Sequence, residues 1–294
     1  MAFGSNRLLQ NVPVEPPPTT GLSTGLRSLD DLLGGLHPGH LTVIAARPGM
    51  GRKQIAVQIA LTNALEQDVP TVLMTDWRPM RLDHTLSANS GQFTTTRDTL
   101  ASRVWLVART AGLDPWRLHD GRIGEQEQVR AADVQRRLRR SPFRLVQFGE
   151  LGAFCSLPPG RFGRLLVALV AAEREVPSMG ATAQALRGLA VRHSVPAVLV
   201  TGINRGTLED RQNKRPTLAD IADLNVVSYA AQILFLYRDA VYFQDSPCVL
   251  DRGLDVVRLT LARNEAGPLG SADLLFDTTG PAPRFRDPTI ARCI

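Results

Sequence analysis

Apolar residues along this chain come in short unbroken runs, and between the runs they recur at three- to four-residue intervals among polar neighbours. The runs lie at 41–46, 71–75, 143–148, 164–170, 196–201 and 231–237. Apolar runs of this length, bounded by glycine, proline or charged residues, read as strands buried on both faces. After the first run, Ile55, Ile59, Ala60 and Leu65 fall near one side of a helix. Pro79 suits the first turn of a second helix, and a third is expected over about 182–193. Two later runs, 255–261 and 272–276, flank 264–268 (Asn-Glu-Ala-Gly-Pro) and predict a hairpin. Strand–helix alternation with fully apolar strands predicts an α/β fold. Its mostly parallel central sheet is flanked by helices and ends in a C-terminal antiparallel hairpin at one edge. Such sheets bind ligands at the carboxyl ends of their strands, which directs attention to the turn after Ala46.

Composition narrows the class. Apolar residues make up 44% and charged ones 21% of 294 residues, enough to build a large core. Residues 1–20 end in a proline-rich stretch and read as a flexible tail, 21–280 as one domain, and 281–294, with Pro281, Pro283 and Pro288, as a loose C-terminal tail. No apolar run reaches the roughly 20 residues of a membrane span, and the first ten have no signal-peptide core. A cytoplasmic protein without a membrane partner is expected. Cys155, Cys248 and Cys293 are far apart and read as reduced thiols. His37 and His40 lie three apart without a third ligand nearby, so no metal site is expected. The net charge of +6 favours polyanionic partners. The densest basic cluster, at 136–140, reads as the solvated face of a helix ending at Ser141-Pro142.

The turn after Ala46 reads Arg47-Pro48-Gly49-Met50-Gly51-Arg52-Lys53-Gln54. A strand, a glycine-containing loop and a helix N-terminus form an anion site, because backbone N–H groups and the helix dipole converge there. A working phosphate loop also needs Gly-Lys-Ser/Thr, in which the lysine reaches the phosphates and the hydroxyl holds Mg²⁺. In one register Arg52 replaces the lysine and Lys53 the hydroxyl, so a cation stands where the metal belongs. In the other, Lys53 is the phosphate lysine, Gln54 a weak carbonyl ligand, and Arg52 stands where a glycine is needed. Neither register is normal.

Several further segments make the resemblance specific. Thr20-Gly21-Leu22-Ser23-Thr24-Gly25, Leu29-Asp30-Asp31-Leu32 and Gly35-Leu36-His37-Pro38-Gly39 precede an Ala45-Ala46-Arg47-Pro48 loop. Asn204-Arg205, Lys214-Arg215-Pro216 with Asp220, Tyr237-Arg238-Asp239 with Tyr242, and Gly267-Pro268-Leu269-Gly270 follow in order. Over about 21–285 the chain resembles the C-terminal RecA-like motor domain of DnaB-type replicative DNA helicases. The resemblance implies a P-loop NTPase core, ATP bound between subunits of a hexameric ring, and single-stranded DNA as partner.

The functional positions depart from that pattern. Trp77 stands in place of the family's catalytic glutamate; Asp76 is the one catalytic candidate and would need the strand to slip by a residue. The run 164–170 lacks a metal-directing aspartate, with no carboxylate before Glu173; the run 143–148, followed by Gly149-Glu150, is the alternative. Gly202 aligns with the nucleotide-sensing glutamine. Of the two hairpin cations that reach a neighbour's γ-phosphate, Arg263 remains as the trans contact and Glu265 has reversed sign. In the DNA-contacting loop, Ala222 and Asn225 replace an arginine and a glycine. The tail is too short to supply the family's helical N-terminal collar. The expected protein is therefore a degenerate paralogue, a pseudoenzyme that binds nucleotide (ATP or ADP, without secure Mg²⁺) or DNA. It would act as an accessory or assembly module in replication or repair, as a homo-oligomeric ring or together with an active helicase. The alternative is an active ATP-dependent DNA helicase.

Overall fold

The computed structural model describes residues 21–75, 95–146, 151–155, 166–170, 178–204, 206, 208, 210–243, 249–251 and 253–288. The expected 1–20 tail, and the stretch from 289 within the expected C-terminal one, lie outside them. Among the described residues ten strands form one sheet: β1 (Leu41–Ala45), β2 (Thr71–Thr75), β3 (Phe143–Val146), β4 (Leu166–Val170), β5 (Ala197–Thr201), β6 (Gln232–Tyr237), β7 (Val249–Asp251), β8 (Leu254–Asn264), β9 (Gly270–Asp277) and β10 (Arg284–Arg286). The order is β10-β9-β8-β6-β1-β5-β4-β2-β3, with β7 beside β8. β1 to β6 pair in parallel, and β7 to β10 extend the sheet antiparallel from β6. The α/β class and the hairpin at one edge are as the sequence predicts.

Helices cover both faces, which explains why β1, β2, β5 and β6 are buried at every position. On one face Ile44 packs with Ile55 and Ile59 of α2 (Arg52–Leu65), and with Leu29 and Leu33 of α1 (Arg27–Leu33). On the other, Leu41 and Val43 pack with Leu186, Leu189 and Ala190 of α7 (Met179–His193). The Ser178 hydroxyl accepts from the Ala181 N–H and starts α7 three residues before the expected 182. Among the described residues three helices lie between β2 and β3: α3 (Thr95–Ala111), α4 (Pro115–His119) and α5 (Glu125–Arg140). The basic run closes α5, with Arg136, Arg137, Arg139 and Arg140 exposed, where cations suit the helix dipole. A five-residue helix, α6 (Leu151–Cys155), stands between β3 and β4, and α8 (Asn225–Tyr229) precedes β6.

One expectation fails. The sequence predicts a loose chain after Gly280, yet 284–286 form β10 on β9, and Phe285 is buried against Phe276 with ring centroids 4.8 Å apart. Around this aromatic residue the Gln58 amide accepts from the Phe285 N–H and donates to its carbonyl, both at 2.8 Å. The Asp287 carboxylate accepts from the N–H groups of Arg27 and Ser28 at the start of α1 (2.9 and 2.7 Å). Long-range partners therefore order a segment that its prolines alone would leave extended.

Candidate functional site

The loop from Ala46 to Gly51 joins the carboxyl end of β1 to α2. Gly49 and Gly51 have φ of 87° and 92°, and Arg52 is the first helical residue. The positive-φ glycine thus directly precedes Arg52, which matches the register that puts Arg52 at the lysine position and Lys53 at the hydroxyl position. Gln54, weak ligand of the other register, lies in the first helical turn, and its carbonyl accepts from Arg109 at 3.4 Å.

The loop is held from several sides. Arg52 is buried and folds back to donate to the Ala46 carbonyl, so its guanidinium closes the loop on itself. Arg47 donates to the Tyr242 hydroxyl at 2.6 Å and lies over that ring. Arg238 donates to the Gly49 carbonyl at 2.6 Å, pairs with the buried Asp255 carboxylate, and stands 4.4 Å over the Phe276 ring. Met50 is buried, and its sulfur accepts from the Arg238 N–H. Pro48 and Gly49 are exposed, and a Cβ on Gly49 would meet nothing within 4 Å. The loop is a preformed, strongly cationic turn with an open outer face, which suits an anion.

Lys53 offers an ammonium in place of a hydroxyl, and the described residues contain no cluster of three His, Cys, Asp or Glu side chains able to hold a metal. The positions considered for the catalytic and metal-directing carboxylates, Asp76, Trp77, Gly149, Glu150 and Glu173, lie outside the described residues. β4 is second from β1 in the sheet and β3 fourth, so 166–170 is the nearer of the two candidate strands.

The second candidate region is the turn between β8 and β9. Arg263 donates to the Val227 carbonyl at 2.9 Å and to Glu265 Oε1 at 3.0 Å. Glu265 Oε2 accepts from Arg187 of α7 at 3.4 Å. Arg187 was invisible to sequence reasoning, because its contact with the hairpin spans 78 positions.

The third is the loop after Asp220, where Ala222 and Asn225 are exposed. Asp220 is buried and accepts from the Thr217 N–H (2.7 Å), the Thr217 hydroxyl (2.9 Å) and Arg211 (2.6 Å). Burial pushes its carboxyl up, but the Thr217 and Arg211 hydrogen bonds outweigh this and hold it below the usual range. Asp223 caps α7 by accepting from the Gly180 N–H at 2.7 Å, the main cause of its own lowered pKa. A Cβ on Gly180 would lie 2.5 Å from the Asn225 Cβ, so the loop seats only on a glycine. Gly202 lies at the same junction, its carbonyl accepting from the Ala222 N–H at 3.4 Å. Arg205 is outside the described residues. Asp30 serves structure: it accepts from the Ser23 hydroxyl and the Thr24 N–H at 2.5 and 2.7 Å.

The model of the DnaB-like helicase C terminal domain matches residues 21–150 and 165–286. The chain belongs to this family. It is 26% identical over 283 residues to the replicative DNA helicase DnaB of Leifsonia xyli, covering 91% of this chain and 56% of that protein. It is 29% identical over 266 residues to DnaB of Pasteurella multocida, covering 87% and 54%. The chain thus spans about half the length of the curated relatives it matches. Among solved structures, an isolated ATPase domain aligns with a TM-score of 0.69 at 19% identity over 92% of both chains. A DnaB-like replicative helicase, from a study of its interactions with primase, aligns at 0.67 and 18% over 90% of this chain and 62% of that one. The fold is that of the RecA-like helicase ATPase domains. Among the described residues no helix is long and apolar enough to cross a membrane.

Proposed function

We propose that this DnaB-like domain binds ATP or ADP at its 47–54 loop without efficient turnover, and serves as a binding or assembly module in cytoplasmic DNA replication or repair. The observation that supports this most is the loop itself: Arg52, buried at the lysine position, is tied to the Ala46 carbonyl, and Lys53 follows it. An anion can still enter, since backbone N–H groups and cations surround the open face. Mg²⁺ would meet an ammonium where the family has a hydroxyl, so binding should proceed without the metal. Assembly as a ring, alone or with an active helicase, and contact with single-stranded DNA through charge complete the reading; the +6 surplus favours the latter.

The test is ATP turnover by pure protein, with and without single-stranded DNA. The proposal expects turnover at background in both. DNA-stimulated turnover that Lys53→Ala abolishes would overturn it. A working, divergent helicase is the second reading, favoured by the two arginines that meet at the hairpin; it predicts strand displacement with Mg-ATP above a no-enzyme control.

A further inference from the structure

Glu265 looks like a reversal of sign at a position that should attract phosphate, but its surroundings give it another role. Its two carboxylate oxygens are divided: Oε1 accepts from Arg263 at 3.0 Å and Oε2 from Arg187 at 3.4 Å. Its backbone N–H is fixed on the Ala231 carbonyl at 2.9 Å, and the second nitrogen of the Arg263 fork is fixed on Val227. One carboxylate thus holds two guanidinium groups side by side and leaves one positive charge in excess. The side chains remain 28%, 34% and 40% exposed for Arg187, Arg263 and Glu265, so the group is partly open to solvent, although the Arg187 Nη1 atom is itself buried.

Topology decides what it can meet. Asn264 pairs with Gln232 at the start of β6, and Gln232 with Thr42 near the start of β1. The hairpin turn therefore lies at the amino end of the strands, whereas the phosphate loop leaves the carboxyl end of β1. Five residues of strand separate the two by about 17 Å through the sheet, so one copy cannot join its own turn to its own loop. A head-to-tail neighbour can, in a contact that closes a ring or continues as a filament.

We propose that Arg187, positioned with Arg263 by Glu265, is a second cation presented to the phosphates of a nucleotide held by the next copy. This rests on the nucleotide-binding and assembly reading above. Glu265 is then a positioning residue, and the count of two trans cations is kept with one drawn from α7.

Sedimentation velocity of the full chain against an ATP titration tests this, with melting temperatures showing that each variant is folded. Arg187→Ala and Arg263→Ala should each raise the ATP concentration for half-assembly about tenfold, the scale of one charge-assisted hydrogen bond. Arg187→Lys should restore most of the loss. Glu265→Gln separates the two roles of the carboxylate: positioning predicts weaker assembly, whereas simple repulsion predicts stronger assembly and overturns the proposal. Loss in Arg263→Ala with none in Arg187→Ala overturns it while leaving the nucleotide and assembly reading intact. A wild-type chain that never assembles with ATP overturns both.

Discussion

Phe285, in the last strand, packs so closely on Gly51 of the phosphate loop that a Cβ on Gly51 would lie 2.6 Å from its ring. The end of the domain thus shapes the start of α2. Gly51→Ala combines that clash with a φ of 92°, and should cost about 1–3 kcal/mol of stability. Phe285→Ala should cost about 3–5 kcal/mol through the cavity it leaves. Urea denaturation measures both, and ATP binding should weaken in each.

Arg238 joins the loop to the sheet through Gly49 and Asp255. Arg238→Met leaves the buried Asp255 carboxylate without its partner and should cost about 3–5 kcal/mol. Adding Asp255→Leu should recover part of that loss, since no uncompensated charge remains. Denaturation midpoints of the single and double variants form the cycle that checks it.

Asp220 should shape the acid limb of stability. Its folded pKa lies below the unfolded value of about 3.9, so its contribution is complete above that value and is lost as pH falls through the folded pKa. Asp220→Asn should cost about 1–3 kcal/mol at pH 7 and flatten the decline below about pH 4. Melting temperatures from pH 7 to 2 provide the comparison; an unchanged acid limb would contradict the assignment.

Restoring the family's residues at the loop should restore its metal dependence. In Arg52→Lys combined with Lys53→Thr, a hydroxyl replaces the second cation. ATP should then bind about tenfold more tightly with Mg²⁺ than with EDTA, a gain of the size expected for one added favourable contact. Calorimetric titration reads this directly.

Most of the central sheet was legible because each parallel strand is an apolar run covered on both faces. β2 matches its expected bounds, and β1, β5 and β6 each begin or end within one residue of theirs. β10 was not legible: its three residues sit between Pro283 and Pro288, and its reason to be a strand is β9, Gln58 and the underside of Gly51. α1 was missed because seven residues hold too little periodicity. At the site, the loop's residues could be read, but not that Arg52 turns inward, since that depends on a carbonyl six positions earlier. Glu265 shows the same limit more sharply. Its charge was visible and suggested opposition to phosphate, whereas its pairing with Arg187, which the fold brings from α7 to the hairpin turn, was not.

The most direct test of the account is a calorimetric titration of the wild-type chain with ATP, in Mg²⁺ and again in EDTA. The account predicts saturable binding of similar affinity in both. Strictly Mg²⁺-dependent binding, or none in either, would contradict it.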